Sequence, residues 1–486
     1  MQLDKLLVDV PGVLETKGNI QININQLISN SRQTEVTNGL FFCVRGLHFD
    51  AHNYAEQAIS NGCCALIVEH FLDFPVVQIK VENVRSAMAY ISSAFFEHPS
   101  KSMKLIAISG TKGKTTTSFL MKSILEKEGY VTGLIGSTGI MIGEKHFNSN
   151  LTTPDPIELH KHLYDMKCAG VTHVCMEASA HAIDMNRLDG LTFETACFTN
   201  FSQDHLDYFG TMDNYFEAKR KFFESNAVKN TAINADDEMA TAILEATKVP
   251  YVTYAIGAQA DVFARDIEIS EEGVSFTIIL REYEEKRINL QLTGMFNVYN
   301  ALAAASLSLI MGISWDNIQT GLESVKSVPG RIEMLNTNTP YRVILDYAHS
   351  PDALINILNT VRTFTKNRLI VLFGCGGDRD HAKRAIMGEI VGKQADFAIL
   401  TSDNPRTEDP FSILDSIELG MKKTPCEYII IENRRDAIKY ALNTADSGDI
   451  IVLAGKGNET YQEIMGIKNP FNEKQIVHEL LQNNAE

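Results

Sequence analysis

Residues 105–122 read LIAISGTKGKTTTSFLMK, and this stretch constrains the chain more than any other. An apolar run breaks at Ser109-Gly110 and resumes as a helical pattern near Lys114, with Phe119, Leu120, Ile124 and Leu125 on one face. That describes a buried parallel strand feeding a helix. Between the two lies Gly110-Thr111-Lys112-Gly113-Lys114-Thr115-Thr116. Such a loop turns several backbone N–H groups toward one point at a helix N-terminus, where the dipole favours an anion. Lys114 then reaches outer phosphates and the Thr115 hydroxyl holds Mg²⁺. The longer pattern G-x-x-x-x-G-K-[ST] fails, because Ile108 stands at its first glycine, and a shorter GTxGKT form remains. An ordinary tight turn is the alternative; the flanking strand, helix and second glycine favour a phosphate site.

The chain around it is too long for one core: 486 residues predict roughly two to four domains. A formal charge of −17 argues against a nucleic-acid polymer or an anionic membrane as main partner, so an anionic substrate needs local Arg, Lys and backbone groups. The eight cysteines form no C-x-x-C pair and no His-linked zinc spacing, which predicts buried free thiols in a reducing compartment. The N-terminal MQLDKLLVDVPG carries acidic residues in its apolar stretch, unlike a signal peptide, and the most apolar helix, around 301–311, is too short to span a bilayer. A cytoplasmic protein is expected, with no membrane insertion.

Taken in order, residues 1–102 alternate short apolar runs with helical patterns, a small α/β unit with no phosphate loop of its own. Its polar clusters, Asn30-Ser31-Arg32 and residues 45–52, read as turns when taken alone, and 98–101 as a linker. From 103 to 328 the alternation predicts a mostly parallel sheet. Strands near 172–176 and 195–198 deliver Glu177-Ala178-Ser179-Ala180-His181 and Thr199–Asp207 at their C-terminal ends, where open sheets bind ligands. Period-two patterning around Glu272-Gly273 predicts an antiparallel hairpin, followed by an alanine-rich helix opening at Gly294. From 329 to 486 strands are predicted at 342–345, 369–373, 397–401, 428–431 and 450–453, a third α/β unit. None of its loops fits G-x-G-x-x-G, so a dinucleotide site is poorly supported.

Nine motifs in one order, GTKGKTTT, MEASAHA, TNFSQDHLDYFGTMDNYFEAKRKFF, GMFNVYNALAA, PGR, LDYAHSPD, GCGGDRD, TSDNPRTEDP and AGKGNET, resemble the Mur ligase family over essentially the whole chain. The resemblance implies a UDP-sugar-binding N-terminal domain, a central ATP-binding P-loop domain and a C-terminal Rossmann-like domain carrying the incoming amino acid. It also implies an ATP-dependent, ADP-forming ligase. ATP phosphorylates the carboxylate of UDP-N-acetylmuramoyl-L-alanyl-D-glutamate, and a diamino acid displaces phosphate to form an amide in peptidoglycan precursor synthesis. Catalysis of this kind is mostly positioning and charge neutralisation.

By the same resemblance Thr115 and Glu177 hold one Mg²⁺ and His205 a second; a capping Glu177 and a core His205 are the alternatives from the residues alone. Lys219 matches a lysine that the family carbamylates to N6-carboxylysine. Asn297, Asn300, Arg331 and Asp346 match nucleotide contacts, with Arg331 reaching the phosphoryl group only after domain closure. Ser31, Arg32 and the Asp50-Ala51-His52 loop match the uridine-diphosphate region, and Thr152, Thr153, Ser179 and Arg187 the muramoyl-peptide contacts. Arg379, Asp403, Asn404, Arg406, Gly455 and Glu459 match the amino-acid site. A guanidinium fork at Arg406 suits the distal carboxylate of meso-diaminopimelate and would repel the ammonium of L-lysine; a salt bridge to Glu408 or Asp409 is the other reading of Arg406. A monomer is expected.

Five positions depart from the family pattern: Ala51, Lys112, Leu151, Ala180 and Asn458. Three touch the proposed substrate side, which leaves room for another sugar-peptide or amine preference. Two other classes use the same loop: a kinase releasing a stable phospho-product, and a nucleotide-sugar-binding protein without turnover.

Overall fold

The structure is a computed structural model that describes residues 1–46, 49–149, 151–280 and 284–483. Leu47 and His48 of the 45–52 cluster therefore lie outside the described residues.

The central sheet has eleven strands, and its middle is built around Lys104–Ser109. Leu105, Ile106, Ala107 and Ile108 are all fully buried, as a parallel strand covered on both faces requires. Its neighbours are His173–Glu177 on one side and Phe193–Phe198 on the other, both parallel to it. Chain order departs from spatial order here, because the strand after the loop helix, Thr132–Gly136, lies beyond His173–Glu177. That is the switch point at which an open parallel sheet leaves a crevice for ligands. The helix Lys114–Lys127 starts directly after Gly113 and buries Leu120, Met121, Ile124 and Leu125 in the same core as the alanine-rich helix Met295–Ile310.

The predicted hairpin is present as Val262–Ile269 against Val274–Leu280, and Glu284–Leu290 adds a third antiparallel strand to that edge. The other edge carries a hairpin absent from the sequence reading, Gly139–Ile142 with Lys145–Phe147. A five-stranded sheet lies N-terminal, ordered Val13–Lys17, Val77–Val81, Cys63–Val68, Gly39–Phe42, Gln26–Ile28. Its first strand is antiparallel and exposed along its length, so no apolar alternation marks it in the sequence. A six-stranded sheet lies C-terminal, with Ile450–Ala454 between Arg342–Asp346 and Leu369–Phe373. A separate hairpin, Tyr461–Ile464 with Ile467–Pro470, stands beside it. No helix among the described residues is long and apolar enough to cross a membrane.

Candidate active site

The loop 110–113 needs its glycines. Gly110 has φ +143° and a Cβ there would lie 1.9 Å from Thr199 Oγ1; Gly113 has φ +85° and a Cβ would lie 2.3 Å from Asn300 Oδ1. Asn300 thus touches the loop directly, and its Nδ2 donates to Asn297 Oδ1 at 2.9 Å. The stretch after Phe193–Phe198 clasps the loop from the other side. Thr111 N–H donates to the Asn200 carbonyl at 2.8 Å, Lys112 N–H to Asn200 Oδ1 at 2.8 Å, and Thr199 Oγ1 to the Lys112 carbonyl at 2.7 Å.

Two lysines converge on one carbonyl. Nζ of Lys114 donates to Gly110 O at 2.9 Å and to Thr111 O at 2.8 Å, and Nζ of Lys219 donates to Gly110 O at 2.8 Å. Neither has a carboxylate partner among the described residues. Burial, with Lys112 and Arg331 nearby, pushes Lys114 down to about 8 against the opposing pull of Glu177 and Asp204. Burial and the Lys114 charge push Lys219 well below the usual lysine range. Lys219 also lies 4.8 Å over the Tyr215 ring and is 1% exposed. An unprotonated buried amine is the form able to take up CO₂ as a carbamate.

Glu177, at the end of its strand, accepts from Ser137 N–H at 2.9 Å and Ser137 Oγ at 3.2 Å, and Ser137 Oγ lies 2.9 Å from Thr115 Oγ1. Arg331 reaches across from the C-terminal unit, with Nη2 3.2 Å from Thr115 Oγ1 and its guanidinium 4.6 Å over the Tyr347 ring. Its Nε is buried with no partner among the described residues, a donor still to be satisfied. One buried carboxylate and one hydroxyl beside a phosphate loop fit Mg²⁺, which keeps several waters and takes substrate phosphates as its other ligands. Among the described residues no group of three or more His, Cys, Asp or Glu converges for a metal. The His205 ring lies 4.7 Å from that of His181. Burial, together with His181, Lys114 and Lys219, pushes it down to about 3, so its imidazole is neutral. Asp346 caps the hinge, accepting from Ile332 N–H and Ala348 N–H at 2.8 Å each.

A cleft of about 190 Å³ opens between His205 and the C-terminal unit, lined by Arg379, Asp403, Asn404, Arg406, Gly455 and Glu459 and, from the central unit, by Asp204 and Asp207. All six residues predicted for the amino acid therefore share one wall. Lys456, which the sequence reading passed over, is fully buried behind them; its Nζ donates to Glu459 Oε2 at 2.9 Å and to Asn404 Oδ1 at 3.1 Å. Asp403 Oδ2 is buried without a hydrogen bond. Burial raises the Asp403 carboxyl, but Lys456, Arg434, His349 and Arg406 outweigh it and hold it below the usual range. Arg434 and Glu473 form a wholly buried pair at 2.8 Å that ties the Ser402 and Ala454 carbonyls together behind this wall. Arg406 pairs with neither Glu408 nor Asp409: its Nε lies 3.2 Å from Glu463 Oε2 and its Nη1 donates to Gly377 O at 2.7 Å. Glu408 is taken by Arg384 at 2.8 Å.

The predicted sugar-peptide residues fall in two groups. Thr153 Oγ1 donates to the Glu177 carbonyl at 2.7 Å, lies 3.0 Å from Ser179 Oγ, and its carbonyl accepts from Arg187 Nη1 at 2.8 Å, so these three form one cluster behind Glu177. Thr152 precedes it on the chain. Ser31, Arg32 and His52 lie in the N-terminal unit. Ser31 Oγ donates to Gln57 Oε1, and Arg32 uses its backbone N–H on Asn30 Oδ1. Both His52 ring nitrogens are occupied, Nδ1 by Asp50 Oδ1 at 2.6 Å and Nε2 by Glu69 N–H at 3.1 Å, which leaves that ring no nitrogen for a ligand.

The Mur ligase middle domain family matches residues 108–308, and the Mur ligase, glutamate ligase domain family matches 330–457. The chain belongs to the Mur ligase family. A relative from Caldanaerobacter subterraneus subsp. tengcongensis, named UDP-N-acetylmuramoyl-L-alanyl-D-glutamate--2,6-diaminopimelate ligase, is 41% identical over 96% of both chains. A Clostridium acetobutylicum protein named as ligase 1 of the same kind is 41% identical over 99% of both. A solved structure of a ligase with that name superimposes with a TM-score of 0.69 at 30% identity, covering 100% of this chain and 99% of that one. The structure places three of the five departures. Lys112 is paired with Asp204 at 2.8 Å, Leu151 is at the surface, and the Asn458 backbone N–H side is packed against Gly330, where a Cβ would come within 2.3 Å of it.

Proposed function

We propose that this Mur ligase acts as a monomer, using ATP and Mg²⁺ to join meso-diaminopimelate to UDP-N-acetylmuramoyl-L-alanyl-D-glutamate. Residues 1–102 take the nucleotide end of the sugar, 103–328 bind ATP, and 329–486 present the amino acid. The observation that carries this reading is the cleft. Arg379 and Arg406 supply guanidinium groups for carboxylates, and Asp403, Asn404 and Glu459 supply acceptors for ammonium groups, on a wall across from Asp204, His205 and Asp207 of the central unit. A zwitterionic amino acid with a second carboxylate matches that mosaic; L-lysine would place an ammonium against Arg406.

The chemistry follows from the positions. The loop N–H groups not taken by Asn200, with Lys114, hold the ATP phosphates, and Lys114 exchanges its bonds to Gly110 O and Thr111 O for bonds to phosphate oxygens. Arg331, already at Thr115 Oγ1, neutralises charge on the phosphoryl group as it passes to the D-glutamate carboxylate. Arg187, with Thr153 and Ser179, orients the peptide carrying that carboxylate. The amine then attacks the acyl phosphate, and the tetrahedral intermediate releases phosphate and leaves the amide. Thr115 and Glu177 would hold one Mg²⁺ and His205 would contribute to a second, and the metal would supply Lewis-acid neutralisation of phosphate charge. Lys219 as a carbamate adds a carboxylate beside the loop.

The test incubates protein, ATP, Mg²⁺ and the UDP-sugar dipeptide with meso-diaminopimelate and with L-lysine side by side. Release of ADP and phosphate that depends on diaminopimelate supports the reading. ADP release without amine and with a stable phospho-product would make it a kinase, and binding without turnover a nucleotide-sugar-binding protein.

A further inference from the structure

The hairpin Tyr461–Ile464 with Ile467–Pro470 belongs to none of the motifs that carry the reaction, yet it grips the loop 403–406 at every turn. Gln462 Nε2 donates to the Asp403 carbonyl at 2.9 Å, and Glu463 N–H donates to Asn404 Oδ1 at 2.9 Å. Arg406 N–H donates to the Glu463 carbonyl at 3.0 Å, and Met465 N–H to the Arg406 carbonyl at 2.7 Å. Arg406 itself has φ +51°, a left-handed conformation that a long side chain adopts only when its surroundings hold it there. The carboxylate of Glu463 then takes the other end of the same residue, 3.2 Å from Arg406 Nε.

We propose that Glu463 is a positioning residue for amino-acid selection, setting which edge of the Arg406 guanidinium meets the substrate's distal carboxylate; this rests on Arg406 being the carboxylate grip. A guanidinium can offer a carboxylate two parallel donors from its Nε/Nη2 side or from its Nη1/Nη2 end. The Glu463 carboxylate lies 3.2 Å from Nε as an ion pair, and the Gly377 carbonyl accepts from Nη1. A carboxylate beside Nε repels a second one from the side edge, which favours approach of the substrate at the terminal edge. A Cβ at Gly376 would come within 2.9 Å of Nη1, so the absence of a side chain there is what leaves room for the guanidinium. Glu463 is partly exposed, at 24% for its side chain, and contributes no apolar core. Its job is orientation.

The experiment compares Glu463→Ala, Glu463→Gln, Arg406→Ala and the double variant by steady-state kinetics with each substrate varied in turn. Glu463→Ala is expected to raise KM for meso-diaminopimelate about tenfold, the scale of one charge-assisted hydrogen bond. KM for ATP and for the UDP-sugar dipeptide and the saturating kcat stay within about twofold. Glu463→Gln, which keeps shape and a hydrogen-bonding oxygen, recovers most of the loss. The double variant is no worse than Arg406→Ala, because Glu463 acts only through Arg406. If Arg406→Ala raises KM for diaminopimelate and Glu463→Ala does not, positioning is overturned while the grip stands. If Arg406→Ala leaves that KM unchanged, the grip and the proposal fall together. Additive losses in the double variant, or equal rises in all three KM values, overturn positioning as well.

Discussion

At the phosphate loop, Lys114 and Lys219 share the Gly110 carbonyl at 2.9 and 2.8 Å and pair with no carboxylate among the described residues. Across the cleft, Lys456 faces Glu459 at 2.9 Å, Arg379 faces Asp207 at 3.2 Å and Arg406 faces Glu463 at 3.2 Å. The first arrangement buries two amines without an ion-pair partner, and burial, with each lysine's cationic neighbours, lowers their pKa values against the weaker pull of Asp204. It suits a ligand that arrives as a polyanion and supplies the missing charge. The second arrangement pairs each of these three cations before anything binds, so a ligand gains less from bulk attraction and must match a pattern of donors and acceptors. Affinity belongs to one half of the cleft and selection to the other.

The largest effect should come from breaking the uncompensated half. Lys114→Met is expected to lower turnover by at least about a hundredfold, the scale of losing one preorganised donor to a developing charge, read as ADP release at saturating substrates. Lys219→Met should do the same for a different reason. Protein equilibrated with ¹³C-bicarbonate should show a carbamate carbon resonance that this variant lacks. A resonance that persists in Lys219→Met would place the modification elsewhere.

Next is the compensated half. Arg406→Ala should raise KM for meso-diaminopimelate by roughly ten- to a hundredfold, from the ~1.5–3 kcal/mol of a hydrogen bond to a charged group, with KM for ATP unmoved. Equal loss with both amines would show that Arg406 holds the loop rather than the ligand, and selection would have to be sought elsewhere on the wall.

How much of this contrast was visible in the sequence depends on how local each half is. The loop, its strand and its helix are contiguous, so Gly110, Gly113 and Lys114 announce themselves by spacing alone. The order of motifs likewise brought Arg379, Asp403, Asn404, Arg406, Gly455 and Glu459 to one wall. What stayed hidden is the compensation. Asp207, Glu463 and Lys456 are ordinary charged residues whose partners lie 172, 57 and 52 positions away for the Arg379, Arg406 and Asn404 contacts respectively. The hairpin 461–470 turns at Met465-Gly466, both with positive φ, and methionine at the first position gives none of the Asn-Gly or Asp-Gly signal that marks such turns. At His52 the polar cluster alone reads as a turn and the resemblance implies a sugar-nucleotide contact; what the sequence does not show is that its ring is engaged by Asp50 and Glu69.

A pH series sharpens the comparison further. Lys114 titrates near 8 in the free protein, and a phosphate favours its charged form, so nucleotide binding above that pH takes up a proton. Between pH 7 and 9 the affinity for ATP should fall by about tenfold, measured by calorimetry in buffers of different ionisation enthalpy to count the proton. Stability of the nucleotide-free protein moves the other way. An unfolded lysine keeps its proton up to about 10.4, so the unfolded chain holds more protons than the folded one from pH 8 upward, and stability attributable to Lys114 rises with pH through that window. An ATP affinity that is flat from pH 7 to 9 would mean that Lys114 is already fully charged and that the loop is not starved of counter-charge.

The smallest expected effect is the one best placed to break the contrast. Lys112 is the single cation in the loop with a carboxylate of its own, Asp204 at 2.8 Å. Its main chain is anchored independently of its ammonium group, through Asn200 and Thr199, so Lys112→Asn should leave the loop in place. If the Lys112 side chain stays with Asp204 when nucleotide binds, the variant loses only a partly exposed ion pair, and KM for ATP shifts by no more than about threefold. A rise beyond about tenfold would show Lys112 leaving Asp204 for the phosphates. In that event the nucleotide half also draws on a compensated cation, and whether charge is balanced before binding would no longer separate the half that attracts from the half that selects.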